Sequence, residues 1–108
     1  MTVWLFTKNS FISIVQHRER PDDVLVRARA KKYLERLFSH KAEEIYADEG
    51  ADYTYRLLIS KKDLAEVVSS YILQSLNYDN FKASQETDDP AWTRFLHAVW
   101  AEGLKLQK

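Results

Sequence analysis

The side chains that most often carry out catalysis are scattered along this chain of 108 residues. The three histidines, His17, His40 and His97, form neither an HxH nor an HExxH pattern, so their spacing does not favour a metal site. Adjacent carboxylates, as at Asp22-Asp23 and Asp48-Glu49, fall in turns, where solvation accounts for them. No serine lies in a GxSxG motif, and the absence of cysteine removes thiolate nucleophiles and ligands. We therefore predict a chain that is not an enzyme and that binds neither a metal nor a cofactor.

The arginines are the charged residues whose spacing does suggest a functional surface. Residues 24–29 alternate as a strand does, with Val and Ala on one side and leucine and arginine on the other. Residues 53–59 alternate in the same way, and the side expected to face the helices consists of Tyr53, Tyr55, Leu57 and Ile59. If both apolar sides face the helices, the other sheet face is open and holds Leu25, Arg27, Arg29, Thr54, Arg56 and Leu58.

A structural role is the alternative for these arginines. Arg27 and Arg29 would then pair with acidic residues such as Glu43 or Glu44 on a neighbouring strand, or lie under the aromatic C-terminal helix. In either case the chain itself would satisfy their charges.

Two functions from different classes fit the open face. The first is a protein-interaction or regulatory module, acting as a homodimer, an adaptor or an inhibitor, because Trp, Tyr and Arg carry much of the energy of protein interfaces. The second is binding of RNA or single-stranded nucleic acid through stacking and phosphate contacts, with the basic residues Arg27, Arg29, Arg56, Lys31 and Lys32. Sixteen basic residues balance sixteen acidic ones, so we favour a protein partner or self-association. The expected partner-binding residues are Trp4, Phe6, Arg27, Arg29 and Arg56, with Phe11 near the first two.

Composition also gives expectations about the cellular setting. A run of about 18 apolar residues, which a spanning helix needs, is not present, so we expect no membrane partner. The start lacks a basic leader with a cleavage site, and there is no cysteine for disulfides. We predict a cytoplasmic protein, with residues 1–108 forming a single domain.

The hydrophobic pattern predicts the elements that must position these residues. We expect strands at residues 11–17, 24–29 and 53–59, a weaker strand at 42–47, and helices near 30–40, 61–76 and 90–104. The order is ββαββα plus a C-terminal helix, and moving the first strand to the end gives βαββαβ. We therefore predict an α+β fold with a single-layer antiparallel sheet and helices on one face, a circularly permuted ferredoxin-like arrangement.

Local signals predict where the last two helices begin. Ser60 is expected to cap the second helix, and Asp89 with Pro90 to begin the third. Between them, residues 78–82 are expected to form a short irregular piece and residues 83–88 a polar loop. The apolar stripe of the second helix is expected to be buried in the core and consists of Leu64, Val67, Val68 and Tyr71.

Five short segments spread over nearly the whole chain form a recognisable set. They are Trp4-Leu5-Phe6-Thr7, Val26-Arg27-Ala28-Arg29, Asp52-Tyr53-Thr54-Tyr55-Arg56, Asn77-Tyr78-Asp79-Asn80-Phe81-Lys82 and His97-Ala98-Val99-Trp100. In these segments the chain resembles a family of small uncharacterised bacterial proteins. The resemblance implies a bacterial, single-domain, cytosolic protein, and it brings no activity or catalytic residue with it.

Overall fold

The computed structural model describes residues 1–76 and 89–107 of the chain. The chain forms two compact units, Met1–Leu76 and Asn77–Lys108. The first unit contains the whole sheet, and the second contains the C-terminal helix. A single domain over residues 1–108 stays a prediction.

The first unit is built on one antiparallel sheet of five strands in the order β1-β2-β3-β5-β4. The α+β class with a single antiparallel sheet is confirmed, and the arrangement is consistent with a ferredoxin-like fold; the circular permutation stays a prediction. The strands are β1 (Val3–Phe6), β2 (Phe11–Gln16), β3 (Asp23–Ala28), β4 (Tyr46–Ala47) and β5 (Tyr55–Ser60).

The connection from β3 to β4 carries the first helix. Helix α1 spans Lys31–Leu37, and a 3₁₀ helix at Ser39–Glu44 follows it. Strand β5 then lies between β3 and β4, hydrogen-bonded to both. The strand predicted at residues 42–47 is therefore only Tyr46–Ala47, because its first residues belong to the 3₁₀ helix.

The core of the first unit lies between the sheet and α1. Strand residues that alternate inward, such as Val26 and Leu57, are opposite each other in the β3–β5 register and fully buried. Leu34 and Phe38, at and just beyond the last turns of α1, are fully buried against them. Burial of apolar area at this density is the main stabilising contribution in a small domain. The buried cluster comprises Ile12, Ile14, Val24, Val26, Ala28, Leu34, Phe38, Leu57 and Ile59.

Helix α2 spans Lys61–Ser75 and begins where the sequence predicts. The Ser60 Oγ accepts a hydrogen bond from the backbone N–H of Asp63 at 3.0 Å, which satisfies one of the free donors of the first turn. The apolar stripe of α2 was predicted to be buried, but no residue of this helix is fully buried. Leu64 and Val67 are half-buried against the core, whose centre is filled by α1, and Val68 is also only half-buried.

The second unit contains helix α3, Pro90–Leu104. Its predicted beginning is confirmed, because the Asp89 side chain accepts a hydrogen bond from the backbone N–H of Trp92 at 3.2 Å and Pro90 occupies the first turn. The predictions for residues 78–82 and 83–88 lie outside the described residues. None of the helices in the described part of the chain combines the length and the apolar character needed to cross a membrane.

We expect Leu57→Ala to lower the free energy of unfolding by about 2–5 kcal/mol, because it opens a cavity in the centre of the core. Leu73→Ala is the control, since Leu73 is 80% exposed on α2, and it should change stability by about 0.5 kcal/mol or less. Urea denaturation followed by circular dichroism measures both. Equal effects would mean that the sheet does not form the core described above.

Candidate aromatic and arginine interface

The segment before Phe11 forms the edge strand β1, which the hydrophobic pattern does not predict. It pairs with β2 in a hairpin whose register places Val3 opposite Ile14 and Phe6 opposite Phe11. The turn is closed by a hydrogen bond from the Thr7 N–H to the Ser10 carbonyl at 2.8 Å. This pairing gives the aromatic residues near the start of the chain a fixed position in the sheet.

The sheet has a second face, opposite the core, where most of the candidate residues meet. One row of directly opposite residues crosses all five strands of this face, and it consists of Trp4, Ser13, Arg27, Arg56 and Tyr46. Opposite residues in antiparallel strands point to the same side of the sheet. We call this surface the arginine face. It also includes Phe6, Phe11, Val15, Leu25 and Leu58, and Arg29 just past the end of β3, which contacts the same Tyr53 ring as Arg27.

Three aromatic rings form a cluster at the β1 end of the arginine face. The Phe11 ring makes edge-to-face contacts with Trp4 at 6.2 Å and with Phe6 at 5.9 Å between centroids. Trp4 is nevertheless 67% exposed and Phe6 40% exposed. Large aromatic side chains that pack against the protein on one side and meet water on the other are typical of binding surfaces.

Arg27 is held by its neighbours on the face. Its Nη2 donates a hydrogen bond to the Oγ of Ser13 at 2.8 Å, and Ser13 is fully buried. Its guanidinium lies 4.7 Å from the centroid of the Tyr53 ring, a cation–π contact. The Nε is buried and has no hydrogen-bond partner among the described residues. Arg27 is thus a half-buried charge whose remaining contacts matter to stability.

Arg56 and Arg29 differ in how many contacts their guanidinium groups make within the chain. The Arg56 Nε donates to the Tyr53 carbonyl at 3.2 Å, and the guanidinium has Asp48 and Asp52 at 3.9 Å, with only 17% of the side chain exposed. The guanidinium of Arg29 lies 4.3 Å from the same Tyr53 ring but is exposed. Arg29 is therefore the arginine of this face that a partner reaches most easily.

Two sequence predictions about this face need correction. Glu43 and Glu44 do not lie on a strand beside Arg27, because they are in the 3₁₀ helix, and Glu44 faces Lys41 at 3.6 Å. Alternation predicts Tyr53 on the core side, but β5 begins only at Tyr55, so the alternation does not extend to it. Tyr53 is buried, but its ring packs against Arg27 and Arg29. The nearby carboxylates Asp48 and Asp52 gave no sequence signal beyond that of a turn.

The histidines do not assemble into a site in the described ranges 1–76 and 89–107. The Nδ1 of His17 accepts hydrogen bonds from the backbone N–H groups of Glu19 and Arg20, both at 3.1 Å, so His17 shapes the β2–β3 turn. His40 lies beside an open groove of about 600 Å³ between α1 and α2, and His97 is on α3. The described residues contain no group of three or more His, Asp or Glu that could hold a metal ion.

Comparisons with family models, with curated proteins and with solved structures found no match to this chain. The arginine face therefore has to be interpreted from its own chemistry. It combines an exposed aromatic cluster at one end with two arginines, Arg27 and Arg56, that are already engaged by residues of this chain. A binding role for Trp4, Phe6 and Arg29 stays a prediction.

We expect Ser13→Ala to lower the free energy of unfolding by about 2 kcal/mol, because it leaves a second nitrogen of a half-buried guanidinium without a partner. The double variant Ser13→Ala/Arg27→Met should be more stable than Ser13→Ala alone, since the charge that needs a partner is gone. Urea denaturation of wild type, both single variants and the double variant forms a complete cycle. Additive losses would show that the 2.8 Å hydrogen bond does not couple the two residues.

Proposed function

We propose that this protein is a non-catalytic protein-interaction module that binds its partner through the β1 end of the arginine face. The observation that carries the proposal is the exposure of Trp4 and Phe6 on an ordered strand. Exposed Trp, Tyr and Phe in a contiguous patch supply the apolar area that dominates binding energy at interfaces. Arg29 lies on the same side of the sheet and adds an exposed guanidinium to the rim.

The state of the arginines supports a protein partner over a nucleic acid. A surface that binds phosphates needs cations that can leave water and meet the ligand, and each such contact contributes a salt-dependent increment. Arg27 and Arg56 are already held by Ser13, by Tyr53 and by two carboxylates. The formal net charge of zero adds no long-range attraction for a polyanion. Of Arg27, Arg29 and Arg56, Arg29 alone is exposed to a phosphate backbone, and the further exposed cations Lys31 and Lys32 lie at the start of α1 and not on the strands of the arginine face.

The same surface supports a role without catalysis. Trp4, Phe6 and Phe11 bring no titratable group into the cluster, and His17 is engaged in its own turn. We also propose a bacterial and cytoplasmic setting, which the resemblance to small bacterial proteins and the absence of cysteine support. An adaptor, an inhibitor or a homodimer would each use the aromatic cluster in the same way.

Selection from a phage library of random peptides tests the proposal. We expect wild type to enrich peptides that bind at least tenfold more weakly to the double variant Trp4→Ser/Phe6→Ser, because that variant lacks the exposed rings. Leu73→Ser is the matched control, since it removes an exposed apolar side chain from α2, and it should bind the peptides as wild type does. Fluorescence anisotropy measures the affinities.

A labelled single-stranded RNA, titrated into the same proteins at low and moderate salt, tests the competing function. We expect no binding that depends on the arginines. RNA binding that falls steeply with salt and is lost in Arg29→Ala would replace the proposed function by nucleic-acid binding. The proposed function would also be contradicted if peptide binding or self-association were as strong in Trp4→Ser/Phe6→Ser as in wild type.

A further inference from the structure

The outer edge of β1 offers backbone groups for pairing. In the β1–β2 ladder, Thr7 and Ser10 are a hydrogen-bonded pair, and bonded pairs recur at every second position of an antiparallel ladder. Leu5 and Val3 therefore direct their N–H and C=O groups toward β2. Trp4 and Phe6 direct theirs away from β2, where no strand among the described residues pairs with them.

The two edges of the sheet differ in how they are protected against pairing. Natural proteins protect edge strands with charged side chains, prolines, bulges or very short strands. At the other edge, β4 has only two residues and is followed directly by Asp48-Glu49. Strand β1 has four residues, all apolar, without charge or proline. Shortness is the only one of these protections that β1 shows.

We propose that β1 pairs with β1 of a second copy of this chain, in an antiparallel arrangement with Leu5 on the two-fold axis. This inference rests on the proposed function and names its partner. In this register Trp4 of each copy lies opposite Phe6 of the other. The outward N–H and C=O groups of these two pairs then make about four backbone hydrogen bonds between the copies. A register with Trp4 on the axis would instead leave Phe6 opposite Thr2, which lies outside the strand.

The side chains favour the same arrangement. Antiparallel pairing around this axis keeps the two arginine faces on one side, so the aromatic clusters of the two copies become continuous. Each Trp4 then faces a Phe6 of the other copy, and cross-strand aromatic pairs are among the stabilising ones. Strand β1 carries no charge, so two copies do not repel each other at the contact. The formal net charge of the chain is zero, so there is also no long-range repulsion between them.

The size of the contact predicts a weak, reversible dimer. Four strand residues span only about 13 Å. The area buried by this contact is therefore well below the roughly 800 Å² per partner of a stable interface. We expect light scattering to show dimer at about 100 µM and monomer at about 1 µM. A tight dimer at nanomolar concentration would require a larger surface than β1 and would contradict this contact.

Cysteine cross-linking tests the axis directly, because wild type has no cysteine and any thiol is the introduced one. In the proposed register the two Leu5 positions form a non-hydrogen-bonded pair about 4.5 Å apart between Cα atoms, which fits a disulfide. Leu5→Cys should therefore give a covalent dimer under mild oxidation. Val3→Cys is the matched control on the same side of β1, where the two positions lie about 13 Å apart along the strands and should cross-link at least tenfold more slowly.

A charge exchange tests the register independently. Trp4→Lys and Phe6→Glu should each weaken self-association at least tenfold, and mixing the two variants should restore a dimer, because the lysine of one chain meets the glutamate of the other. Equal cross-linking of Leu5→Cys and Val3→Cys, or no rescue on mixing, would overturn the proposed pairing. If wild type stays monomeric at every concentration while binding of the selected peptides still requires Trp4 and Phe6, the partner is not a second copy of this chain, and the proposed function stands.

Discussion

Two arginines lie directly opposite each other on the central strands, Arg27 on β3 and Arg56 on β5, and their charges determine how this side of the sheet is arranged. Like charges opposite each other in a ladder destabilise the pair. The register cannot shift by one residue to separate them, because the same shift would turn Val26 and Leu57 out of the core. The repulsion between the two guanidinium groups has to be offset locally, and Tyr53 contacts both of them. Its ring makes a cation–π contact with Arg27, and its carbonyl accepts a hydrogen bond from Arg56.

This constraint separates the arginine face into two regions with different properties. At the centre, Ser13, Tyr53 and the carboxylates of the β4–β5 turn occupy the guanidinium groups, so the charge serves the fold. At the β1 end, the rings of Trp4 and Phe6 pack edge-to-face against Phe11 and still expose much of their surface. Affinity for a partner is therefore concentrated in apolar area at the edge, which salt screens little, and not in the row of arginines.

The parts of the fold that could be predicted from the sequence are those that local patterns determine. Alternation located β2, β3 and most of β5, and the caps at Ser60 and Asp89 located the beginnings of α2 and α3, because each depends on residues a few positions apart. Strand β1 was missed because its pairing with β2 depends on a turn without glycine or proline at residues 7–10. Tyr53 was misplaced because alternation alone does not show that a strand begins two residues later. The sequence also placed Arg27 and Arg56 on one face, but their direct opposition depends on the β3–β5 register, which no local pattern encodes.

The edges of the sheet show how one set of side chains can serve both folding and association. Asp48 follows β4 and contributes both a carboxylate near Arg56 and a charge that discourages pairing at that edge. The rings on β1 have the opposite effect, since their edge-to-face contacts with Phe11, worth about 0.5–1.5 kcal/mol each, hold the strand on β2 while their other faces remain exposed. Removing a ring therefore changes the docking of β1 and its contact with a partner together. A change at Val3, which is exposed on the other side of the strand, leaves both ring contacts with Phe11 in place, whereas Leu5 also packs against the core.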